Sequence, residues 1–241
     1  GGSAVPISMI ERFWKEHGAE VVQGWGMTEM SPLGTTTRFN RGERQLPDAE
    51  RFAITAKAGR PVYGCEMKII DDAGNDLPSD GSISGNLVVR GPWIVKGYMK
   101  GDGQGQFLKD DWFMTGDVCK IEKDGSVVIT DRSKDVIKSG GEWISSIDLE
   151  NAAMGCPGVA EAAVIGVAHP KWDERPLLIV VKRPDASVTK EELLKFLDGK
   201  IAKWWMPDDV QFIDAIPHGA TGKILKTALR KHFESYKLPT A

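Results

Sequence analysis

No apolar run in the chain approaches the roughly 20 residues that a membrane-spanning helix needs, and no signal-peptide pattern is present. A helical anchor is therefore not expected. Cysteine is scarce: Cys65, Cys119 and Cys156 are odd in number, widely spaced and without a C-x-x-C pair or a nearby histidine partner. That spacing argues against zinc sites and disulfide frameworks, and it fits a reducing, cytoplasmic setting. The four histidines, His17, His169, His218 and His232, show no metal spacing and are expected at the surface or in turns. An excess of positive charge is also missing, since 31 Lys and Arg face 34 Asp and Glu for a net charge of −3. Without a basic field, nucleic acid is not expected as a partner. Internal repeats and low-complexity tracts are absent as well.

What remains is an ordinary globular balance, 41% hydrophobic and 27% charged over 241 residues, enough for one large domain or two small ones. The chain starts Gly1-Gly2-Ser3 without Met and reads as a piece of a longer protein. Apolar Ile7, Met9, Ile10, Phe13 and Trp14 among charges predict an amphipathic helix over 7–18, followed by a short strand at Glu20-Val21-Val22-Gln23. Between Arg60 and Thr130 the pattern becomes short strands (66–70, 84–90, 118–122 and 126–130) separated by turn signals such as Asp71-Asp72-Ala73-Gly74-Asn75 and Lys123-Asp124-Gly125. After Asp131 come apolar runs at 160–167 and 177–181. A helix opening on the capping-box pattern Thr189-Lys190-Glu191-Glu192 follows, then a strand at 210–213 and a basic helix at 225–236. The expected fold class is α/β, with a β-rich subdomain followed by a small α+β unit.

Two signatures carry chemistry. Gln23-Gly24-Trp25-Gly26-Met27-Thr28-Glu29 combines glycines that permit close backbone approach, a flat indole, and a hydroxyl beside a carboxylate able to serve a phosphate oxygen and Mg²⁺. Far downstream, Gly219-Ala220-Thr221-Gly222-Lys223-Ile224 has two residues between its glycines where a Walker A loop has four, and it ends in Ile, so it is not a P-loop. Gly101-Asp102-Gly103-Gln104-Gly105 lacks the spacing of a dinucleotide fingerprint and reads as a surface loop.

Two further segments complete a set: Trp112-Phe113-Met114-Thr115-Gly116-Asp117, and Asp131-Arg132-Ser133-Lys134-Asp135-Val136-Ile137-Lys138-Ser139-Gly140-Gly141-Glu142-Trp143-Ile144. In order and spacing the four resemble the motifs of the adenylate-forming superfamily of acyl-CoA synthetases, luciferases and peptide-synthetase adenylation domains. Within it the chain is most similar to AMP-forming, medium- to long-chain fatty-acid–CoA ligases. The family's phosphate-gripping loop lies upstream of the first motif, so the chain resembles the C-terminal part of such an enzyme. The resemblance implies residues 1–131 as the end of the large AMP-binding domain and 132–241 as a mobile lid with its hinge near Lys134.

The resemblance also implies residue roles. Gln23, Gly24 and Trp25 line the adenine pocket. Thr28 bonds the α-phosphate, and Glu29 holds Mg²⁺. Asp117 grips the ribose hydroxyls, and Arg132 reaches ribose or phosphate. Lys134 and Lys138 also belong to the nucleotide-binding set, and Lys223, with Thr28 and Glu29, to the catalytic one. Gly2, Ser3, Gly26, Gly140, Gly141 and Trp143 border the acyl and coenzyme A path. Trp25 and Trp143 read equally as packing residues, and Trp204-Trp205-Met206 as small-domain core. The implied substrates are a fatty acid, ATP with Mg²⁺, and coenzyme A, with a homodimer left open. The implied reaction forms acyl-AMP and then acyl-CoA, releasing pyrophosphate and AMP. Alternatives are an adenylation domain serving a carrier-protein thiol, a luciferase-type oxygenase, and a non-catalytic nucleotide-binding fragment.

Overall fold

The computed structural model describes residues 5–220 and 222–241. The chain divides into two compact units, one ending at Ser133 and the other running Lys134–Ala241.

In the first unit, helix α1 (Ile7–His17) buries Ile10 and carries the pairs Glu11–Lys15 and Arg12–Glu16 on its solvent face, at the spacing that brings side chains together. The strand expected at 20–23 is not formed. Pairing begins one residue later with β1 (Gly24–Gly26), which lies antiparallel to β2 (Leu33–Thr36), itself paired with β3 (Arg60–Pro61). Gln23 is instead tied to Thr37, its backbone N–H donating to the threonine hydroxyl and its carbonyl accepting from the Thr37 N–H. Helix α2 (Asp48–Thr55), unanticipated from the sequence, starts after Pro47 with Asp48 and Glu50 in its first turn and buries Phe52 and Thr55.

The β-rich region is a four-stranded antiparallel meander of β4 (Glu66–Ile70), β5 (Gly85–Arg90), β6 (Phe113–Ile121) and β7 (Val127–Arg132). The turn signals act as expected. Asp71 accepts from the N–H groups of Ala73 and Asn75, and Asp124 from that of Ser126. Ile69, Leu87, Val89, Phe113 and Val127 fill the core beneath the sheet. The 101–105 segment is a pair of exposed 3-10 turns.

The second unit opens with a tight hairpin, β8 (Ile137–Ser139) and β9 (Glu142–Ile144), then α3 (Ser146–Met154), whose N-cap Ser145 accepts from the Asp148 N–H. Strands β10 (Val159–His169) and β11 (Asp173–Lys182) form a long hairpin, and β12 (Asp209–Phe212) pairs parallel to β11. Side chains of β10 alternate between two apolar clusters. Ala162 and Val164 meet Leu149, Ala153 and Leu193, whereas Ala163, Ile165 and Val167 meet Ile216, Leu229 and Leu238. A sheet covered on both faces explains the unbroken apolar run in the sequence. Helix α4 (Lys190–Leu197) carries a complete capping box between Thr189 and Glu192.

Two expectations need correction. The basic helix is shorter than 225–236, with α5 spanning Lys226–His232, because the chain then turns so that Phe233 and Tyr236 pack on the second cluster. His169 is buried rather than exposed, its Nδ1 accepting from the Lys171 N–H and its Nε2 bonded to the Thr240 carbonyl. The three cysteines are buried free thiols, and burial, with Glu66 nearby, pushes that of Cys65 up to about 11. Among the described residues no helix is long and apolar enough to cross a membrane.

The capping box makes a direct test of the second unit. Thr189→Ala removes the acceptor for the Glu192 N–H and should lower stability by about 1 kcal/mol in urea unfolding followed by circular dichroism; an unchanged midpoint would show that the cap contributes nothing there.

Candidate functional site

The four-stranded meander sets two of the motifs side by side. Antiparallel pairing of β6 with β7 puts Asp117 opposite Arg132, and their side chains close an ion pair with Nε to Oδ1 at 2.8 Å. The other carboxylate oxygen accepts from the Trp25 indole N–H at 2.8 Å, across 92 residues of sequence. Asp117 is only 5% exposed, so this charge is desolvated and depends on its donors. Arg132 by contrast stays largely in solvent, and its terminal nitrogens make no hydrogen bond among the described residues.

Beyond β1 the chain turns sharply through a 3-10 helix at Thr28–Met30. The turn closes with the Met27 N–H on the Pro32 carbonyl, and it brings Pro32 so near that a Cβ on Gly26 would sit 1.9 Å from the same oxygen. Gly26 is thus required by the backbone itself. The turn presents Thr28 to solvent and holds Glu29 half-buried, where the Tyr98 hydroxyl donates to Oε1 at 2.7 Å. Burial, then the bond to Glu29, pushes that hydroxyl up to about 12. The second carboxylate oxygen and the Thr28 hydroxyl carry no hydrogen bond among the described residues.

Gln23 is engaged within the fold. Its side chain is buried, donating to the Thr55 carbonyl at 2.9 Å and accepting from the Val5 N–H at 3.2 Å. With its backbone bonded to Thr37 as well, Gln23 fastens β1 in place. Gly24 and Trp25 are half-buried, the Trp25 ring packing against the core below the meander.

In the second unit the predicted residues lie on turns and on the short β8–β9 hairpin. Lys134 is exposed. The preceding Ser133 donates its N–H to the Gly116 carbonyl of the first unit, and the following Asp135 accepts from Arg230 of the second at 2.8 Å. Lys138 and Trp143 are cross-strand partners on β8 and β9, the ammonium 5.5 Å from the indole centroid, and Gly140 and Gly141 form the turn between them. Lys223 is exposed on a tight loop closed by the Gly219 N–H on its own carbonyl at 2.8 Å and by the Leu225 N–H on the Pro217 carbonyl. Gly2, Ser3 and Thr221 lie outside the described residues. Sequence reading missed Tyr98, which no local pattern marks because its partner Glu29 lies 69 residues away. It also missed the commitment of Gln23.

The family profile for AMP-binding enzymes matches residues 1–99, and that for the AMP-binding enzyme C-terminal domain matches residues 148–223. The chain belongs to the AMP-binding enzyme family. Its relatives in this family include a 3-methylmercaptopropionyl-CoA ligase of Ruegeria lacuscaerulensis, 53% identical over 97% of this chain and 43% of that protein. A medium-chain-fatty-acid–CoA ligase of Ectopseudomonas oleovorans is 47% identical over 97% of this chain and 42% of its own length. The crystal structure of ATP-bound MatB from Rhodopseudomonas palustris matches with a TM-score of 0.83 at 30% identity, over 98% of this chain and 45% of that one. This AMP-binding enzyme chain therefore spans less than half the length of the relatives it matches, and its mixed α/β fold is that of adenylating enzymes.

Breaking the central contact tests its strength. Asp117→Ala strips an acceptor from both Trp25 and Arg132 and should cost about 1–3 kcal/mol in unfolding. In a Trp25→Phe background the cost should shrink, as a double-mutant cycle would measure; strictly additive costs would show that the carboxylate does not hold the indole.

Proposed function

We propose that this chain supplies the adenosine-facing wall and the lysine-bearing C-terminal unit of an AMP-forming acid–coenzyme A ligase. The observation that carries the reading is the convergence of Trp25, Asp117 and Arg132 beside the Thr28–Glu29 turn. A carboxylate offers only acceptors and suits a pair of ribose hydroxyls, and the guanidinium fork suits a phosphate oxygen. The ATP named for the MatB structure supports the nucleotide, and the two CoA ligases support the thiol. Among the acids, the relatives' names support linear aliphatic ones, thioether-substituted or of medium to long chain length.

Mg²⁺ fits the donor set in a limited way. Among the described residues no cluster of three metal-ligating side chains exists. Glu29 offers one unbonded carboxylate oxygen, steadied through the other by Tyr98. This suits a hard cation that takes one or two carboxylates and completes its shell with phosphate oxygens and water. When bound, the ion neutralises charge on the polyphosphate.

Two steps follow. The substrate carboxylate attacks the α-phosphorus of ATP, forming an acyl–phosphate bond as pyrophosphate leaves, with Thr28 as donor to the α-phosphate and Lys223 countering the developing negative charge. The thiol of coenzyme A then attacks the acyl-adenylate carbonyl, and AMP departs as the thioester forms. Lys223 serves the first step, and the β8–β9 turn serves the second, with Lys134 as the hinge between the two settings.

The complete protein carrying this chain, given ATP, Mg²⁺ and coenzyme A, should form AMP, pyrophosphate and thioester only when an acid such as 3-(methylthio)propionate or octanoate is present. Nucleotide cleavage to ADP, or AMP formation indifferent to the acid, would sink the reading. Lys223→Ala should slow acyl-AMP formation by roughly 100-fold or more while sparing thioester formation from supplied acyl-AMP. Equal loss in both half-reactions would remove Lys223 from its assigned step.

A further inference from the structure

Beneath the Gly140–Gly141 turn lies a buried side chain with four hydrogen bonds. Arg175, at the start of the buried part of β11, is 7% exposed. Its Nε donates to Asp208 Oδ1 at 2.6 Å. One terminal nitrogen reaches the Ser139 hydroxyl at 3.3 Å and the Trp204 carbonyl at 2.8 Å, and the other reaches the Met206 carbonyl at 3.0 Å. The guanidinium also lies 4.6 Å over the Trp204 ring. Four of its five N–H donors are accounted for, in a fork that a lysine cannot imitate.

Two of these partners, Ser139 and Trp204, connect the arginine to the β8–β9 turn. The Trp204 indole N–H donates to the Ser139 carbonyl at 3.3 Å. Trp204 meets Trp172 edge to face at a centroid distance of 4.9 Å, and the Trp172 carbonyl accepts from the Gly140 N–H at 2.9 Å. Gly140 itself has φ +58°, and a Cβ there would stand 3.2 Å from Trp172 and 3.3 Å from Trp204. On the adjoining strand the Lys138 N–H donates to Glu174 at 3.1 Å. The turn thus rests on two perpendicular indoles, and the orientation of one is fixed by a buried arginine held by Asp208.

We propose that Arg175 is a positioning residue for thioester formation: through Trp204, Trp172 and Ser139 it fixes the Gly140–Gly141 turn in the geometry that admits the coenzyme A thiol, while having no part in acyl-AMP formation. The proposal rests on the assignment of this turn to the second step. The Arg175 fork is buried and committed to protein partners, none of them on the Lys223 loop, which is closed by its own backbone bonds. A turn displaced by a fraction of an ångström to an ångström is sufficient for a large loss, since misplacement on that scale costs up to roughly 100-fold in rate.

The test uses the complete protein with the two half-reactions measured separately: acid-dependent pyrophosphate release without coenzyme A, and thioester formation from supplied acyl-AMP. Arg175→Met and Arg175→Lys should both raise the KM for coenzyme A and lower the thioester rate by roughly 10- to 100-fold, with pyrophosphate release within about twofold of the parent. Trp204→Phe keeps the apolar face but deletes the bond to Ser139, and it should give a smaller loss in the same half-reaction even if the arginine variants fold poorly. A loss shared equally by both half-reactions, or full rescue by Arg175→Lys, overturns the proposal. Gly140→Ala perturbs the turn directly and separates the two claims. If it impairs thioester formation while Arg175→Met and Trp204→Phe do not, the clamp is refuted and the turn's role stands. If none of the three affects that step, the assignment of the turn fails with it.

Discussion

A single buried carboxylate sets the geometry of the first unit. Asp117 is almost fully removed from solvent, and an ionised group in that position is tolerable only with donors in place on its oxygens. Those donors come from opposite directions in the sequence, Arg132 from the neighbouring strand and Trp25 from a separate three-stranded sheet. Satisfying them therefore fixes the register of β6 against β7 and the approach of β1 to the meander at once. The Thr28–Glu29 turn inherits its place from β1, because it follows directly from that strand. What looks in the sequence like separate motifs is, physically, one electrostatic requirement with several consequences.

The second unit follows an opposite logic. Its sheet is buried by apolar side chains on both faces, and its candidate functional groups sit on turns at the rim. Lys134, Lys138 and Lys223 are all exposed, where an ammonium keeps much of its hydration. A desolvated acid held rigidly suits recognition of a fixed, neutral group such as a ribose. A hydrated cation on a loop suits a charge that appears only during a reaction and must be withdrawn afterwards. The proposed division of labour between the two units agrees with the burial of the side chains that each would use.

Much of the fold was legible because it is encoded locally. The Thr189 capping box, the Asp71 and Asp124 turns and the strands of the meander each follow from neighbouring residues, and each forms. The failures share a cause. The Glu20-Val21-Val22-Gln23 run has the β-branched residues of a strand, yet the pairing partner stands opposite Gly24 and Trp25, so tertiary contact overrode propensity. The α2 helix is too short for a clear period, and the β8–β9 hairpin is hidden inside a charged segment. For the site, the family resemblance carried by the four motifs pointed to the groups that converge, Trp25, Asp117 and Arg132. The motifs could not name Tyr98, whose partner lies 69 residues away, or Arg175, whose partners lie 29 to 36 residues away.

The motif glycines narrow what is left for a ligand to touch. Gly26 is demanded by its own loop, since any side chain would strike the Pro32 carbonyl, and Gly140 by its left-handed φ and the two indoles beneath it. Gln23, too, is bonded within the fold through its backbone and its side chain. A glycine or glutamine in a signature is therefore no evidence of ligand contact until these demands are subtracted. After subtraction, the first unit retains the Thr28 hydroxyl, one oxygen of Glu29, the Asp117 carboxylate held by Trp25 and Arg132, and the terminal nitrogens of Arg132. This is a short edge of one donor hydroxyl, two acids and one cation. Its composition matches a ribose phosphate with a bound cation more closely than it matches the triphosphate of ATP, whose outer phosphates would need donors that this edge does not contain. The β- and γ-phosphates must then be met by groups other than these, so the edge by itself should discriminate little between ATP and AMP.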